Sequence, residues 1–456
     1  MKKIFYILLI ITALTGCQKI SFYNGQVKLN FSTDTVFFDT VFTNIGSATR
    51  ILKVYNPVNQ FVKINSISLA GGKNSAFRLN INGEPTSYAR DVIIPPRDSI
   101  YIFAEVTIAP NKGYLVEQDS IIFAINGKTQ IIPLYAIGWD VHLIKNKIIS
   151  SDTVWNADKP YLIWYYVAID TGAQLQINPG VQVFLHRNAG LFVFGSLKAY
   201  GSLDSNITFS SDRLEQDYND IPGQWGGIVL ERTSQGNEFH WTRIKNSIVG
   251  ISADSVQDTV IIHNCEIIHQ SYASIFASMS NIKIFGSVLA DAGWYNLGII
   301  KGGDYKIINT TIANYYGWGT IRKTPAVAVT NYEIIGNTPV FRSPVNLEII
   351  NSIIYGNHEN ELLLSPAVEW ENFNYLINNC LIRTTEDYTF HQCIINQDPQ
   401  FSDITKYDFH LGSKSPAIGK ADYGIISLFS RFLNIDIDGN SRNNPADIGA
   451  YEYVEN

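Results

Sequence analysis

The sequence predicts an all-β protein: an N-terminal β-sandwich, then a right-handed parallel β-helix with a C-terminal cap. Three observations predict it. The 456 residues include 24 Phe, 25 Tyr and abundant Ile, while helix-forming runs of Ala, Glu, Lys and Leu are scarce, a balance that favours strands. Between Leu29 and Trp139, short apolar runs alternate with turn pairs such as Asn82-Gly83 and Asn126-Gly127. Between Phe239 and Ile382, one pattern recurs about every 22 residues, a period that signals a solenoid.

The repeat is registered on Trp241, Asn264, Gly286, Asn309, Asn331, Asn351 and Asn379, at gaps of 23, 22, 23, 22, 20 and 28 residues. Two residues before each stands an apolar side chain, from Phe239 to Ile377, and three residues after each an aliphatic one, from Ile244 to Ile382. Alternation up to the reference residue makes a strand with one face inward. The phase reverses just after it, so the chain must bend there. Asn tolerates the left-handed backbone of such a bend better than other non-glycine residues, and stacked Asn amides can bond to one another. Strand, corner, strand, repeated at about 4.8 Å per rung, describes a parallel β-helix. This ladder resembles the pectate-lyase-like superfold. The resemblance implies architecture and leaves the chemistry open, because one fold hosts many functions.

The N-terminus reads as an export signal. Lys2 and Lys3 precede the apolar run Ile4 to Ile11, and Leu14-Thr15-Gly16-Cys17 follows. The tetrapeptide resembles a bacterial lipobox and closes a signal segment of residues 1–17, which implies cleavage just before Cys17 and acylation of its thiol, so that Cys17 becomes the first residue. The apolar run is too short for a typical membrane-spanning helix. Gln18, rather than Asp, follows the cysteine. The resemblance then implies sorting to the outer membrane, with the leaflet side open.

Residues 18–28 are read as a tether and 29–140 as the sandwich, with seven strands: 35–38, 50–55, 62–69, 77–81, 100–108, 120–125 and 130–136. Phe42 to Ser47, Val54 to Asn56, Ile94 to Ile100 and Asp119 to Phe123 resemble immunoglobulin-like modules of the ASPM/SPD-2/Hydin type, which implies a spacer or interaction domain. Residues 141–395 are assigned to the β-helix. Asn178-Pro179-Gly180 and Trp225-Gly226-Gly227-Ile228 in its first part resemble the β-helix lipoproteins of Bacteroidota. Residues 396–456 form the cap. There Tyr407 to Leu411, Ser415 to Gly419, Asp436 to Asn440 and Asp447 to Glu452 resemble a choice-of-anchor Q segment. A cap is needed because an open rung edge invites pairing with other chains.

Net charge is −7 with 16% charged residues, and no basic stripe marks a nucleic-acid partner. Asp436-Ile437-Asp438-Gly439-Asn440 resembles half of a calcium loop, but Asp447 stands where an EF-hand has Glu. A turn held by Asx bonds is favoured over a structural calcium, and no other cofactor is expected. Arg243-Ile244-Lys245 matches a polygalacturonase tripeptide without its Asp cluster, so it is treated as chance. Lys283, Lys301, Lys306, Arg322 and Lys323 are read as solvated strand positions. His240 and His263 should stack on the outer face, a metal- or proton-binding pair without an evident third ligand. Cys265 and Cys380 fall too far apart for a disulfide and read as interior fillers, and Cys393 is not assigned as a partner of Cys380.

No catalytic or metal-binding residue is assigned. Trp294, Tyr315, Tyr316, Trp318 and Trp370 fall in loops after the ladder strands. Such rings can stack on sugar faces, or fold back as packing under the loops. The expectation is a lipid-anchored envelope protein whose β-helix binds polysaccharide or serves adhesion or scaffolding. The alternatives are a polysaccharide lyase or glycoside hydrolase in the same groove, and a purely structural envelope protein. Convergence of Lys283, Lys301, Arg322, Glu348 and Asp291 would favour the enzyme.

Overall fold

The computed structural model describes residues 21–110, 115–319, 321–336, 338–367 and 372–455. With 53% strand and 4% helix, the chain is all-β. It divides between Val141 and His142 into two compact units.

The first unit is two five-stranded sheets around one core. One sheet orders Asn30–Phe31, Arg50–Tyr55, Ser99–Val106, Phe77–Ile81 and Glu84–Pro85; the other orders Val36–Phe42, Lys128–Trp139, Leu115–Ile125, Val62–Leu69 and Tyr88–Ile94. Alternate residues of both sheets, among them Leu52, Ile102, Ile64 and Phe123, are fully buried in that core, as period-two strands require. The strand Tyr88–Ile94 is absent from the sequence reading. It lies at a sheet edge and is mostly exposed, so it lacks the alternation that reveals a strand.

The second unit is built on a 25-strand sheet running from His142–Ile149 to Ile394–Ile395. Its pairings are parallel and link each strand to one a turn further on, which winds the sheet into a β-helix with three columns. Leu191, Ile228, Ile251, Ile275, Leu297, Val327 and Leu362 stack in register in the first. Ala199, Phe239, Ile262, Ile284, Ile307, Ile349 and Ile377 stack in the second. Phe209, Ile244, Ile267, Leu289, Ile312, Ile354, Ile382 and Ile395 stack in the third.

The corner lies between the second and third columns. Trp241, Asn264, Gly286, Asn309, Asn351 and Asn379 all have positive φ, between 39° and 56°. Asn331 does not belong to this column. Gly303–Ile308 pairs directly with Val345–Ile350, so the chain from Asn309 to Asn351 makes one turn, and Val329 stacks in the first column on Ile299. The surplus residues form a loop from Tyr315 to Pro325 and a hairpin of Tyr332–Ile335 with Thr338–Phe341. Two near-22 spacings in succession mimicked two rungs.

Only one Asn–Asn bond forms in the column, Asn351 Nδ2 to Asn309 Oδ1 at 3.2 Å. The amides instead reach into the C-terminal segment: Asn309 Nδ2 donates to the Asp447 carbonyl, Asn379 Nδ2 to that of Lys420, and Asn351 exchanges two bonds with the Asp422 backbone. The C-terminal segment therefore covers the flank of the shaft along its corners. Phe285, Ile308 and Ile350 on one side of the column bury Ile426 and Leu433, and Ile353 and Leu381 on the other side bury Ala417 and Ile448.

His240 and His263 are likewise drawn under this cover. Their Nδ1 atoms are 3.1 Å apart, His263 Nε2 donates to the Phe432 carbonyl, and His240 Nε2 meets Glu238 at 3.0 Å. Burial, reinforced by the His240 charge, lowers His263 to about 4, so it stays neutral.

The Asp436 segment is the expected Asx turn. Its Oδ1 accepts the N–H groups of Asp438 and Asn440, and its Oδ2 accepts Asn440 Nδ2 and the Glu452 N–H. Arg442, buried, donates to Glu452 at 2.6 Å and to the carbonyls of Gly449 and Ala450. The acidic residues of the C-terminal motifs thus hold the cover's own backbone.

Replacing Asn351 by Ala removes three hydrogen bonds at a buried site and should lower stability by about 2–4 kcal/mol. Asn379→Ala, which loses one, should cost roughly 1 kcal/mol. Gly286→Ala drives a Cβ into Asn264 Oδ1 at a φ of +56° and should cost about 1–3 kcal/mol. Urea midpoints of the three variants check the order; equal losses at Asn351 and Asn379 would refute the assigned role of the column.

Candidate functional site

A second line of left-handed corners precedes the first column. Asn246, His269 and Asp291 occupy it on successive rungs, with φ of 66°, 63° and 47°. Asn246 uses its amide nitrogen on the carbonyls of Tyr218 and Asn219. His269 is buried, with Nδ1 unpartnered and Nε2 3.8 Å from Asp220. Burial, with the nearby Lys245 charge, lowers it to about 4.

Asp291 is 2% exposed. Its Oδ1 accepts the Tyr315 N–H at 2.6 Å, and among the described residues it has no salt-bridge partner. Burial raises it to about 7, against the opposing pull of that N–H and of the Arg322 charge. A carboxyl group on this corner therefore holds its proton close to neutrality.

The loop after Thr311–Asn314 builds a wall around it. Asn314 Oδ1 accepts the Tyr316 N–H, and its amide donates to the Ala292 carbonyl. The returning limb is fixed by Arg322, whose fully buried guanidinium meets Glu361 at 2.5 Å and also bonds the Asn314 carbonyl, Asn357 and the Thr324 carbonyl. Glu361 in turn accepts the N–H groups of Ala326 and His358. Truncating either member of such a pair leaves a buried charge alone, at a cost of about 3–5 kcal/mol.

The C-terminal segment supplies the opposite wall. Between the two lies a cavity of about 400 Å³ lined by Asp291, Tyr315, Tyr316, Gly317, Trp318, Ile404, Thr405 and Tyr407. Tyr407 sits edge-on to His269 with centroids 4.2 Å apart, and it shares the cavity lining with Trp318. Tyr315 stacks on Phe409. The result is an aromatic-walled recess with one protonatable carboxyl group at its buried end, an arrangement suited to a ligand with hydroxyl groups and flat apolar faces.

Three sequence candidates, Tyr315, Tyr316 and Trp318, thus meet in one cavity. Trp294 is 51% exposed in an adjoining patch with Tyr272 and Tyr295. That patch abuts the cavity where Tyr316 crowds Gly293. Trp370 lies outside the described residues. Of the five residues whose convergence would favour an enzyme, only Asp291 is in the cavity. Lys301 pairs with Glu333, Lys306 with Glu348 and Arg322 with Glu361. The sequence reading missed His269 and Tyr407 as site residues. Tyr407 comes from nearly 90 residues beyond the loop it faces, and no local pattern joins them.

Residues 1–18 match the family model of the prokaryotic membrane lipoprotein lipid attachment site, a segment that contains Cys17. The match supports a lipid-anchored envelope protein. No curated protein matches the chain. No helix among the described residues is long and apolar enough to cross a membrane.

Asp291 gives the site a pH signature. Its folded value, about 7, lies above the ordinary carboxyl value, so its contribution is fully present below about pH 4 and is lost as pH rises through about 7. Asp291→Asn keeps the acceptor and cannot ionise. Relative to the parent, this variant should gain roughly 2–4 kcal/mol between pH 4 and 8. Paired denaturation curves at the two pH values check this, and a pH-independent difference would refute the buried carboxyl.

Proposed function

We propose that this is a glycan-binding lipoprotein of the bacterial outer membrane, tethered through acylated Cys17 and binding polysaccharide at the Asp291 cavity. The observation that carries the reading is the cavity itself: Tyr315, Tyr316, Trp318 and Tyr407 around a protonatable carboxyl group. Sugar C–H faces pack on aromatic rings, and a protonated carboxyl donates to a hydroxyl oxygen. No Lys or Arg is among the lining residues, which favours neutral over uronic sugars. Exposed Trp294 extends the aromatic surface beyond the cavity. The sandwich of residues 29–140 serves as an immunoglobulin-like spacer, and residues 396–456 form a choice-of-anchor Q-type segment, in keeping with a Bacteroidota-type β-helix lipoprotein. Two or three acyl chains hold such a protein firmly where one would be marginal.

One observation favours a second reading, a glycoside hydrolase. A carboxyl group raised to about 7 is poised as a general acid. Hydrolysis also needs a second carboxyl group, and the cavity lining contains none besides Asp291.

Titration of the full chain in detergent with neutral oligosaccharides, read by tryptophan fluorescence, tests the binding. Trp318→Ala should weaken affinity about 5- to 30-fold, the equivalent of one stacking contact of 1–2 kcal/mol. Asp291→Asn should keep binding within about tenfold. Unchanged affinity in Trp318→Ala refutes the site. Sugar release by the parent that Asp291→Asn abolishes would establish the hydrolase instead.

Anchoring is tested separately. Cys17→Ala should leave the membrane fraction and lose the lipid mass on the N-terminal peptide. Continued membrane partition with an unmodified N-terminus would refute the anchor.

A further inference from the structure

The last two rungs bring two thiols face to face. Leu381 and Ile382 pair in parallel with Ile394 and Ile395, and Asn378 bridges His391. Both pairings have the same offset, so Cys380 and Cys393 stand directly opposite each other between them. Their side chains are also oriented alike. Cys380 Sγ donates to the carbonyl of Asn378 and Cys393 Sγ to that of His391, each two residues back, at 3.2 and 3.3 Å. The two thiols lie close enough that each shifts the ionisation of the other. Paired parallel strands lie about 4.8 Å apart, within the roughly 4.4–6.8 Å that separates the Cα atoms of disulfides.

Cys265 provides the contrast. It occupies the same interior position four rungs earlier, but its neighbours there are Thr242 and Ser287, and burial pushes it up to about 12. Cys393 is half-buried, and the neighbouring Cys380 thiol brings it down to about 7, so one thiol of the pair is accessible and nucleophilic. A protein carrying a lipid attachment site is exported from the reducing cytosol to a compartment where disulfides persist.

We infer that Cys380 and Cys393 are joined by a disulfide after export, stapling the final rung to the shaft. The oxidant is an exposed disulfide of a dithiol-type donor. The Cys393 thiolate attacks one donor sulfur, the donor S–S bond breaks, and a mixed disulfide forms. Cys380 gives up its proton and attacks the Cys393 sulfur, expelling the second donor thiolate. Two thiols are oxidised and one donor disulfide is reduced to a dithiol. The stapled rung is the one that needs it. It is the last in the sheet, its strand Ile394–Ile395 has two residues, and it pairs with one neighbour only. The inference is independent of the glycan reading.

The test uses the full chain isolated from the envelope, quenched in acid, denatured and alkylated without reduction. Peptide mass spectrometry should recover Cys380 and Cys393 as one cross-linked pair, two hydrogens lighter than the dithiol, and Cys265 as an alkylated thiol. Reductant should speed proteolysis between residues 383 and 390 in the parent and have no effect in Cys393→Ser, whose Cys380 should be recovered alkylated. Recovery of both Cys380 and Cys393 as alkylated thiols from the unreduced parent, even after incubation with a small-molecule disulfide, would overturn the inference.

Discussion

Each full rung of the shaft must reverse side-chain phase at one left-handed residue, and this backbone constraint underlies the other features of the second unit. It selects Asn at four of the six corners between Trp241 and Asn379, because Asn accepts positive φ at small cost. It selects Gly286 where the Asn264 amide already fills the space above. A corner side chain points away from the core and carries both a donor and an acceptor. Left without partners under an apolar layer, each amide would cost about 1–3 kcal/mol. The C-terminal segment resolves this by offering backbone carbonyls at the column, so the same residues that bend the rungs also dock the cover.

The cover in turn depends on a polar scaffold of its own. Asp436, Asp447 and Glu452 accept backbone N–H groups, and Arg442 ties Glu452 to the carbonyls of Gly449 and Ala450. Short irregular segments have few backbone partners, and buried carboxylates substitute for a sheet ladder. Burial raises Glu452 to about 7 although Arg442 pulls it down. These acidic residues are therefore explained by folding.

Much of the fold was legible because period and phase are local. The core columns, the corner residues and most sandwich strands follow from alternation alone. The error at Asn331 has a physical origin. A 42-residue turn carrying a loop and a hairpin is close to two ordinary rungs in length, and Val329 and Ile334 supply apolar residues at the expected offsets. The placement of the cover had a signal that was overlooked. Positions just outside the corner should be polar on a free shaft, yet they read Phe285, Ile308 and Ile350 on one side and Val288, Ile353 and Leu381 on the other. Apolar residues in an outward phase on consecutive rungs call for a layer above them. The cavity was legible only in part. Tyr315, Tyr316 and Trp318 stand out as loop aromatics, whereas Tyr407 and Asp291 join them only through the docking of a distant segment.

The way the cavity is held bears on what it can do. Its loop wall is fixed at both ends, by Asn314 and Asp291 on leaving the shaft and by the buried Arg322–Glu361 pair on returning. Its other wall is a turn whose residue Tyr407 packs on buried His269. An aromatic surface that is ordered in advance would lose little side-chain freedom on binding the proposed glycan, which would raise affinity without added contacts. The same rigidity bears on Asp291. A mobile loop would expose the carboxyl group and let it ionise, whereas this one holds it buried against the Tyr315 N–H. The corner constraint therefore extends to the site, because Asp291 occupies a left-handed position in the same solenoid and can stay there only while the loop and the cover remain in place.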